Sequence, residues 1–306
     1  MQAMRIHGYG DAAVIRRDDI PPPVPGPGEV LIQVAATSFN PSEIGVRSGM
    51  LRSLFPLDLP HTLGWDVAGT VVEVGSRVRT PAVGDQVVGL LAGGAAAEYV
   101  SAAADALVPA PTSIPLAHAA ALPVAGITAW QAVFEHGRVA PGQRVLINGA
   151  GGGIGGFAIQ LAKHAGAHVI ATASPRSTAA VQRLAADQII DYTARFIADG
   201  LDRPVDVVLN LVALSPPQAA TLVPLVRRGG VFVSVTTPIE PPTGVPVTAT
   251  HFVARNDTSQ LAALVKLVDA GAVRADIAAT RPFADLASVH REAEANRTRG
   301  KIIIIP

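Results

Sequence analysis

The run Val145-Leu-Ile-Asn-Gly-Ala-Gly-Gly-Gly-Ile-Gly-Gly156 confines this chain to few architectures. Val145 to Ile147 has the length and character of a buried parallel strand. A glycine-rich turn follows, and then an apolar-periodic run from Ile154 to Ala165 that predicts a helix. Strand, turn and helix in that order make a phosphate cradle. Small residues let the backbone approach a pyrophosphate, and the first turn of the helix presents N–H groups that have no partner inside it. The spacing Ala150-x-Gly152-x-x-Gly155 fits the dinucleotide fingerprint with Ala in first place. Ala150, Gly152, Gly153, Ile154 and Gly155 are therefore expected at the phosphates of a cofactor. A glycine-rich stretch alone is often just a loop. Here a second strand, His168 to Ala173, follows at the distance a βαβ unit needs.

The end of that second strand bears on which dinucleotide. An NAD site wants an Asp or Glu there to accept from the ribose 2′-hydroxyl. This chain reads Ala173-Ser-Pro-Arg-Ser177. The acid is missing, Ser174 and Ser177 can donate, and Arg176 can pair with a 2′-phosphate. The expected cofactor is NADPH. Ser174-Pro175 also suits a helix start, and the two roles are compatible.

The rest of the chain supports two kinds of grammar. Residues 1 to about 118 read as an irregular β-rich unit, with strands at Glu29–Ala36 and Val67–Val74, and a turn at Val83 feeding a strand. Gly69 inside the second of these marks a bulge or a close backbone approach. Pro115 to Ala125 and Ile127 to Glu135 are helical in pattern, the latter closed by Gly137. Beyond them, strands at Val145–Ile147, Val169–Ala173, Gln188–Ile190, Val205–Leu211 and Val231–Val235 alternate with helices at Ile154–Ala165, Thr178–Ala186 and Pro217–Val226. Such alternation means a parallel sheet with helices on both faces. A helix over Gln260–Ala270 and a buried strand at Ile302–Ile305 complete the tail.

Several function classes are disfavoured. With 24 basic and 24 acidic residues the net charge is +0, which argues against nucleic acid as a partner. The stretch Arg291 to Lys301 mixes in Glu292 and Glu294 and reads as a solvated helix face. There is no cysteine, hence no disulfide and no thiolate metal site. Only His164 and His168 share i,i+4 spacing, and Gly166 separates them, so no metal site is expected. No run suggests a membrane span, Met1 to Gly10 does not read as a signal peptide, and a cytoplasmic location is expected. No nucleophile elbow with a Ser-His-Asp order supports hydrolysis.

The order of parts is similar to a known family. Pro25-Gly-Pro-Gly-Glu-Val-Leu-Ile is followed by Phe39-Asn-Pro-Ser-Glu and Leu63-Gly-Trp-Asp-Val-Ala-Gly-Thr-Val-Val-Glu-Val-Gly75. Next come Val83-Gly-Asp-Gln-Val, Ala97-Glu-Tyr-Val100 and Ala125-Gly-Ile-Thr-Ala-Trp130. The glycine turn, Ala185-Ala-Asp-Gln-Ile-Ile-Asp-Tyr192 and Thr298-Arg-Gly-Lys-Ile complete the match. Together they resemble the zinc-free quinone oxidoreductase branch of the medium-chain dehydrogenase/reductase superfamily. The resemblance implies an α/β fold in which a Rossmann doubly wound parallel sheet, residues 119–252, is inserted into a β-rich, GroES-like catalytic domain, residues 1–118 and 253–306. It implies an active site in the cleft between them and a homodimer formed through the Rossmann domain. Zinc-dependent relatives carry a Cys and a Gly-His-Glu motif; the matching segments here are Asn40-Pro-Ser-Glu43 and Gly64-Trp65-Asp66, and the four-Cys lobe is absent. Many quinone reductases carry a Tyr where this chain aligns Gly45.

The resemblance also distributes roles. Asn40 is expected beside the nicotinamide, though a turn residue before Pro41 is an equal reading. Thr128 is expected near the nicotinamide-side phosphate, or as plain packing. Leu211 to Ala213 and Val235 to Thr237, Val212 and Val235 among them, are expected to face the carboxamide. Tyr192 is expected to approach the 2′-phosphate, and Lys301 to reach the adenosine end or to be a solvated lysine before its strand. Phe39, Phe55, Trp65 and Phe252 are expected to line an apolar substrate pocket, or to be core. The expected activity is NADPH-dependent, zinc-independent hydride transfer to a quinone, with water or a bound hydroxyl as proton source. An enoyl or alkenal double-bond reductase acting on α,β-unsaturated carbonyls is the alternative, and a non-catalytic NADPH-binding structural or sensing protein is a second.

Overall fold

A computed structural model describes residues 1–240 and 244–306. The chain forms two compact units, Met1–Val124 with Asn256–Gly271 and Ile277–Pro306, and Ala125–Arg255 with Ala272–Asp276.

The first unit is built on a long strand, Glu29–Phe39. It pairs antiparallel with Asp66–Val74 along its length, with Tyr99–Ala103 at its start and with the C-terminal strand Lys301–Ile305 at its end. The strand runs three residues past the expected Ala36, because Thr37, Ser38 and Phe39 find partners in Ile304, Ile303 and Ile302. Pairing across that much sequence leaves no local trace. Of the bulge or close approach expected at Gly69, the close approach lies at Gly69 itself and the bulge in the partner strand, at Ala35. The register shifts between Val34 and Ala36 opposite it, and a Cβ on Gly69 would stand 2.3 Å from the Gln33 carbonyl. A small sheet of Gln2–Ile6, Ile15–Asp19 and His61–Thr62 lies outside the sequence expectations. The helix expected over Pro115–Ala125 is divided: Leu116–Ala119, then a new helix from Pro123. Proline favours a first helical position, where no N–H is needed.

The second unit holds six parallel strands: Arg144–Asn148, His168–Ala173, Gln188–Asp191, Val205–Asn210, Val226–Ser234 and Thr248–His251. Counted along the chain, their spatial order is 3-2-1-4-5-6, the doubly wound arrangement. Helices Gly153–His164, Thr178–Arg183 and Pro216–Ala220 lie on the crossovers. The third is shorter than expected because Val226 already begins the fifth strand. Leu146, Ile170, Ile190, Val208 and Phe232, all buried, form the core beneath the sheet ends. Order reverses between the first and fourth strands, and ligands of such sheets bind beyond the carboxyl ends at that point. The helix Pro123–Trp130 continues as a π-helical segment, Gln131–His136, which Gly137 closes with an i,i−5 bond to Ala132.

Candidate active site

In the second unit the glycine turn stands at the carboxyl end of the first strand, beside the switch point. Its glycines are needed for different reasons. A Cβ on Gly149 would meet Val212 at 2.7 Å, one on Gly151 would meet Ser177 at 2.4 Å, and one on Gly155 would meet the Gly149 carbonyl at 2.3 Å and Ala150 at 2.6 Å. Gly155 thus lets the helix seat against the turn itself. Gly152 is different. Its Cβ would find only the Gly149 carbonyl, at an ordinary 3.4 Å, and its backbone (φ −87°) is open to any residue. Nothing in the protein's own packing asks for glycine there. A group lying against it from outside would. Gly152 is also the N-cap of the helix Gly153–His164, and no side chain caps it, so the first-turn N–H groups of Gly153 and Ile154 face the same side. Ala150 is buried behind them. The turn fits a dinucleotide.

The segment after the second strand is a tight turn. The Ser177 hydroxyl accepts from the Ser174 N–H at 3.1 Å and donates to the Ser174 carbonyl at 3.3 Å. Ser174 and Ser177 are both buried, so Ser177 serves the turn rather than a ligand, while Arg176 is exposed and Tyr192 is half-exposed. Val212 and Val235 are partly buried just past the fourth and fifth strands, and Thr128 is buried in its helix. Phe252 stacks on His136 with ring centroids 4.2 Å apart.

In the first unit, Asn40 heads a buried polar cluster. Asp66 is fully buried and accepts four times: from the Ser38 hydroxyl, from Asn40 Nδ2 at 2.9 Å, from the Val124 N–H at 2.7 Å and from Lys301 Nζ at 3.5 Å. Lys301 Nζ also donates to Asn40 Oδ1 at 2.8 Å. The expected reach of Lys301 to the adenosine end is thereby corrected: its ammonium is buried and held by three acceptors within this cluster. Ile302, which follows it on the C-terminal strand, is the register partner of Phe39. Burial pushes the Glu43 carboxyl up to about 7, aided by the nearby Asp66 charge; the Asn40 N–H, at 3.1 Å from Glu43 Oε1, opposes the shift. Burial lowers the Lys301 ammonium, against the pull of Asp66 and Glu43. Both ends of the Asn40 carboxamide are taken by neighbours, so Asn40 offers a fixed surface rather than a free donor.

Trp65 stacks with Phe55, ring centroids 5.6 Å apart, and both are partly exposed. Phe39 belongs instead to the core, packed edge-on against the buried His290 at 4.9 Å, and its expected place in a pocket is corrected. Gly45 has no room for a larger residue, since its Cβ would stand 2.8 Å from Leu51. The positions that hold a metal in zinc-dependent relatives do not fit one. Asn40 is bound to the Lys301 ammonium, Trp65 presents an indole, and among the described residues no three His, Cys, Asp or Glu gather to hold a metal.

Two sets of residues escaped the sequence reading. Asp66 and Glu43 were visible as letters, and a lone acid at the head of the apolar strand Asp66–Val74 was the available signal. Asn148 and Asn210 close the near-identical runs Val-Leu-Ile-Asn and Val-Val-Leu-Asn, a repeated polar strand end.

Two family descriptions match the chain: "Alcohol dehydrogenase GroES-like domain" over residues 26–112 and "Zinc-binding dehydrogenase" over residues 184–304. A chloroplastic quinone-oxidoreductase of Triphysaria versicolor is 39% identical over 63% of this chain and 61% of its own length, so the chain spans under two thirds of that relative. A chloroplastic NADPH-dependent alkenal/one oxidoreductase of Arabidopsis thaliana is 32% identical over 100% of this chain and 80% of its own. The solved structure of the quinone oxidoreductase from Coxiella burnetii is 31% identical, with a TM-score of 0.90 over 100% of this chain and 99% of its own. That of Escherichia coli quinone oxidoreductase complexed with NADPH is 26% identical, with a TM-score of 0.89 over 100% of both chains.

Proposed function

The chain belongs to the medium-chain dehydrogenase/reductase superfamily, in its zinc-free quinone oxidoreductase branch, and from that membership we propose that it is an NADPH-dependent reductase of quinones. One observation carries the cofactor half of this reading: Gly152 is the glycine of the turn whose missing side chain the protein itself does not require. NADPH supplies the hydride when bound. The chain's part is to bind and orient. Gly152 leaves room for the pyrophosphate, the N–H groups of Gly153 and Ile154 receive its charge, and Arg176 pairs with the 2′-phosphate. Val212, Val235 and Thr128, all of the second unit, pack along the nicotinamide half. The Phe55–Trp65 pair is a platform of the kind a flat quinone ring stacks on. With hydride from the cofactor and a proton from water, a quinone becomes its hydroquinone.

A second reading, reduction of activated alkenes, is favoured by the likeness to the alkenal/one oxidoreductase over the whole chain. One panel decides between them: simple quinones, alkenals and enoyl thioesters, each offered with NADPH while its oxidation is followed. Quinones are expected to give the highest kcat/KM. A preference for alkenals selects the second reading, and binding of NADPH with no turnover on any of them overturns both.

The homodimer belongs to the same proposal. Among the described residues the sixth strand, Thr248–His251, pairs on one side only, with Val226–Ser234, which leaves an edge for a second copy. Light scattering should give twice the chain mass. A cytoplasmic location is likewise part of the proposal. Among the described residues no helix is long and apolar enough to cross a membrane.

A further inference from the structure

Four neighbouring strands of the parallel sheet carry a small polar side chain at one level, at or next to their carboxyl ends: Thr172, Asn148, Asn210 and Ser234. Asn210 is the register partner of both Asn148 and Ser234, and Thr172 follows Ala171, the partner of Ile147. All four are buried, at 1%, 7%, 0% and 0% exposure. Polar groups so placed are costly unless bonded. Here they bond to one another in a single direction. The Thr172 hydroxyl donates to Asn148 Oδ1 at 3.1 Å, Asn148 Nδ2 donates to Asn210 Oδ1 at 2.9 Å, and Asn210 Nδ2 donates to Ser234 Oγ at 3.2 Å.

Apart from a long bond of the Thr172 hydroxyl to the Ile147 carbonyl at 3.5 Å, the remaining bonds of this ladder go to three loops. Thr172 Oγ1 accepts from the Gly149 N–H at 3.0 Å, Asn210 Nδ2 donates to the Val212 carbonyl at 3.1 Å, and Ser234 Oγ accepts from the Thr237 N–H at 3.1 Å. The Thr236 hydroxyl donates to the same Val212 carbonyl at 2.7 Å. Those loops are the glycine turn and the two strand-end segments assigned to the cofactor. They also touch: the Cβ that Gly149 lacks would stand 2.7 Å from Val212. A displacement of one is therefore passed to the next.

We infer that this buried ladder sets the relative positions of the three cofactor loops, so that Thr172, Asn148, Asn210 and Ser234 are positioning residues for NADPH. The inference rests on the proposed NADPH reading and deepens it. A site held to within a fraction of an ångström needs such support beneath the residues that make contact.

The test uses substitutions that keep shape. Thr172→Val preserves a β-branched residue and removes only the hydroxyl; Thr172→Ser restores it; Ser234→Ala loosens the far end. For each, NADPH affinity is titrated, and the KM values for NADPH and for a simple quinone are measured well below the melting temperature. Thr172→Val and Ser234→Ala should each raise the NADPH Kd and KM about tenfold with the quinone KM within twofold of wild type, and Thr172→Ser should return the NADPH values to within threefold. A ladder that merely holds the sheet would lower the melting temperature and leave the NADPH values alone, and that result overturns the inference. So does a full effect in Thr172→Ser. Should Thr172→Val not fold, Ser234→Ala decides by the same criteria. If the wild type itself fails to saturate with NADPH, the cofactor reading falls and the inference with it; if the wild type saturates and the variants match it, the inference alone falls.

Discussion

Arg176 is exposed at the end of the second parallel strand, where a site selective for the unphosphorylated ribose would carry an acid. Its neighbours Ser174 and Ser177 are folded into their own turn, so the preference for NADPH rests on the guanidinium. A charge-assisted contact needs only about 1.4 kcal/mol to give a tenfold preference. Arg176→Ala should weaken NADPH binding at least tenfold and leave NADH binding unchanged, as read by fluorescence titration of both cofactors. Equal losses for the two would move the selectivity elsewhere. Lys301 teaches the opposite lesson. A lone lysine before an apolar strand gave no sign of where its ammonium would go, and the answer, a buried cluster with Asn40 and Asp66, depends on strands more than two hundred residues apart in sequence.

At the scale of elements, two buried groups of the first unit pull stability in opposite directions as pH changes. Glu43, on the helix Ser42–Ser48, has its carboxyl raised from 4.5 to about 7 by burial, so between those values the folded chain holds more protons than the unfolded one. Stability from this group is complete at low pH and is lost as pH rises through 7. His290, on the helix Leu286–Glu294, is lowered from 6.5 to about 3, by burial first and by Arg47 second. There the unfolded chain holds more protons, and stability is lost as pH falls below 6.5. Each is worth ~1.4 kcal/mol per pH unit over its window. Between 4.5 and 6.5 they oppose each other. Glu43→Gln should therefore make the melting temperature rise with pH between 4.5 and 6.5 and flatten its fall from 6.5 to 7, and His290→Leu should flatten the fall below pH 4.5. Thermal melts across pH 3 to 8 would show both, and an unchanged alkaline limb in Glu43→Gln would refute the first.

For the whole molecule, legibility followed distance. The strand, turn and helix around Gly152 and the alternation that makes the parallel sheet are local patterns, and the sequence carried them to within a few residues. The joint order of motifs carried the family. What sequence could not carry was pairing across the chain: the return of Lys301–Ile305 to Glu29–Phe39, the withdrawal of Phe39 into the core, and the polar ladder beneath the cofactor loops. The Asp66 cluster failed to appear for the same reason, since its six members, Ser38, Asn40, Glu43, Asp66, Val124 and Lys301, come from four separate segments. The most direct measurement compares wild type, Gly152→Val and Gly155→Val for NADPH oxidation with a simple quinone and for thermal midpoint. Wild type should consume one NADPH per hydroquinone formed. Gly152→Val should lose turnover and NADPH binding with an unchanged midpoint, because its Cβ meets nothing in the protein closer than the Gly149 carbonyl, at an ordinary 3.4 Å. Gly155→Val should lose both binding and several degrees of midpoint, because its side chain strikes the turn's own backbone. Gly152→Val turning over NADPH at the wild-type rate would show that this turn is not the cradle, and would contradict the account.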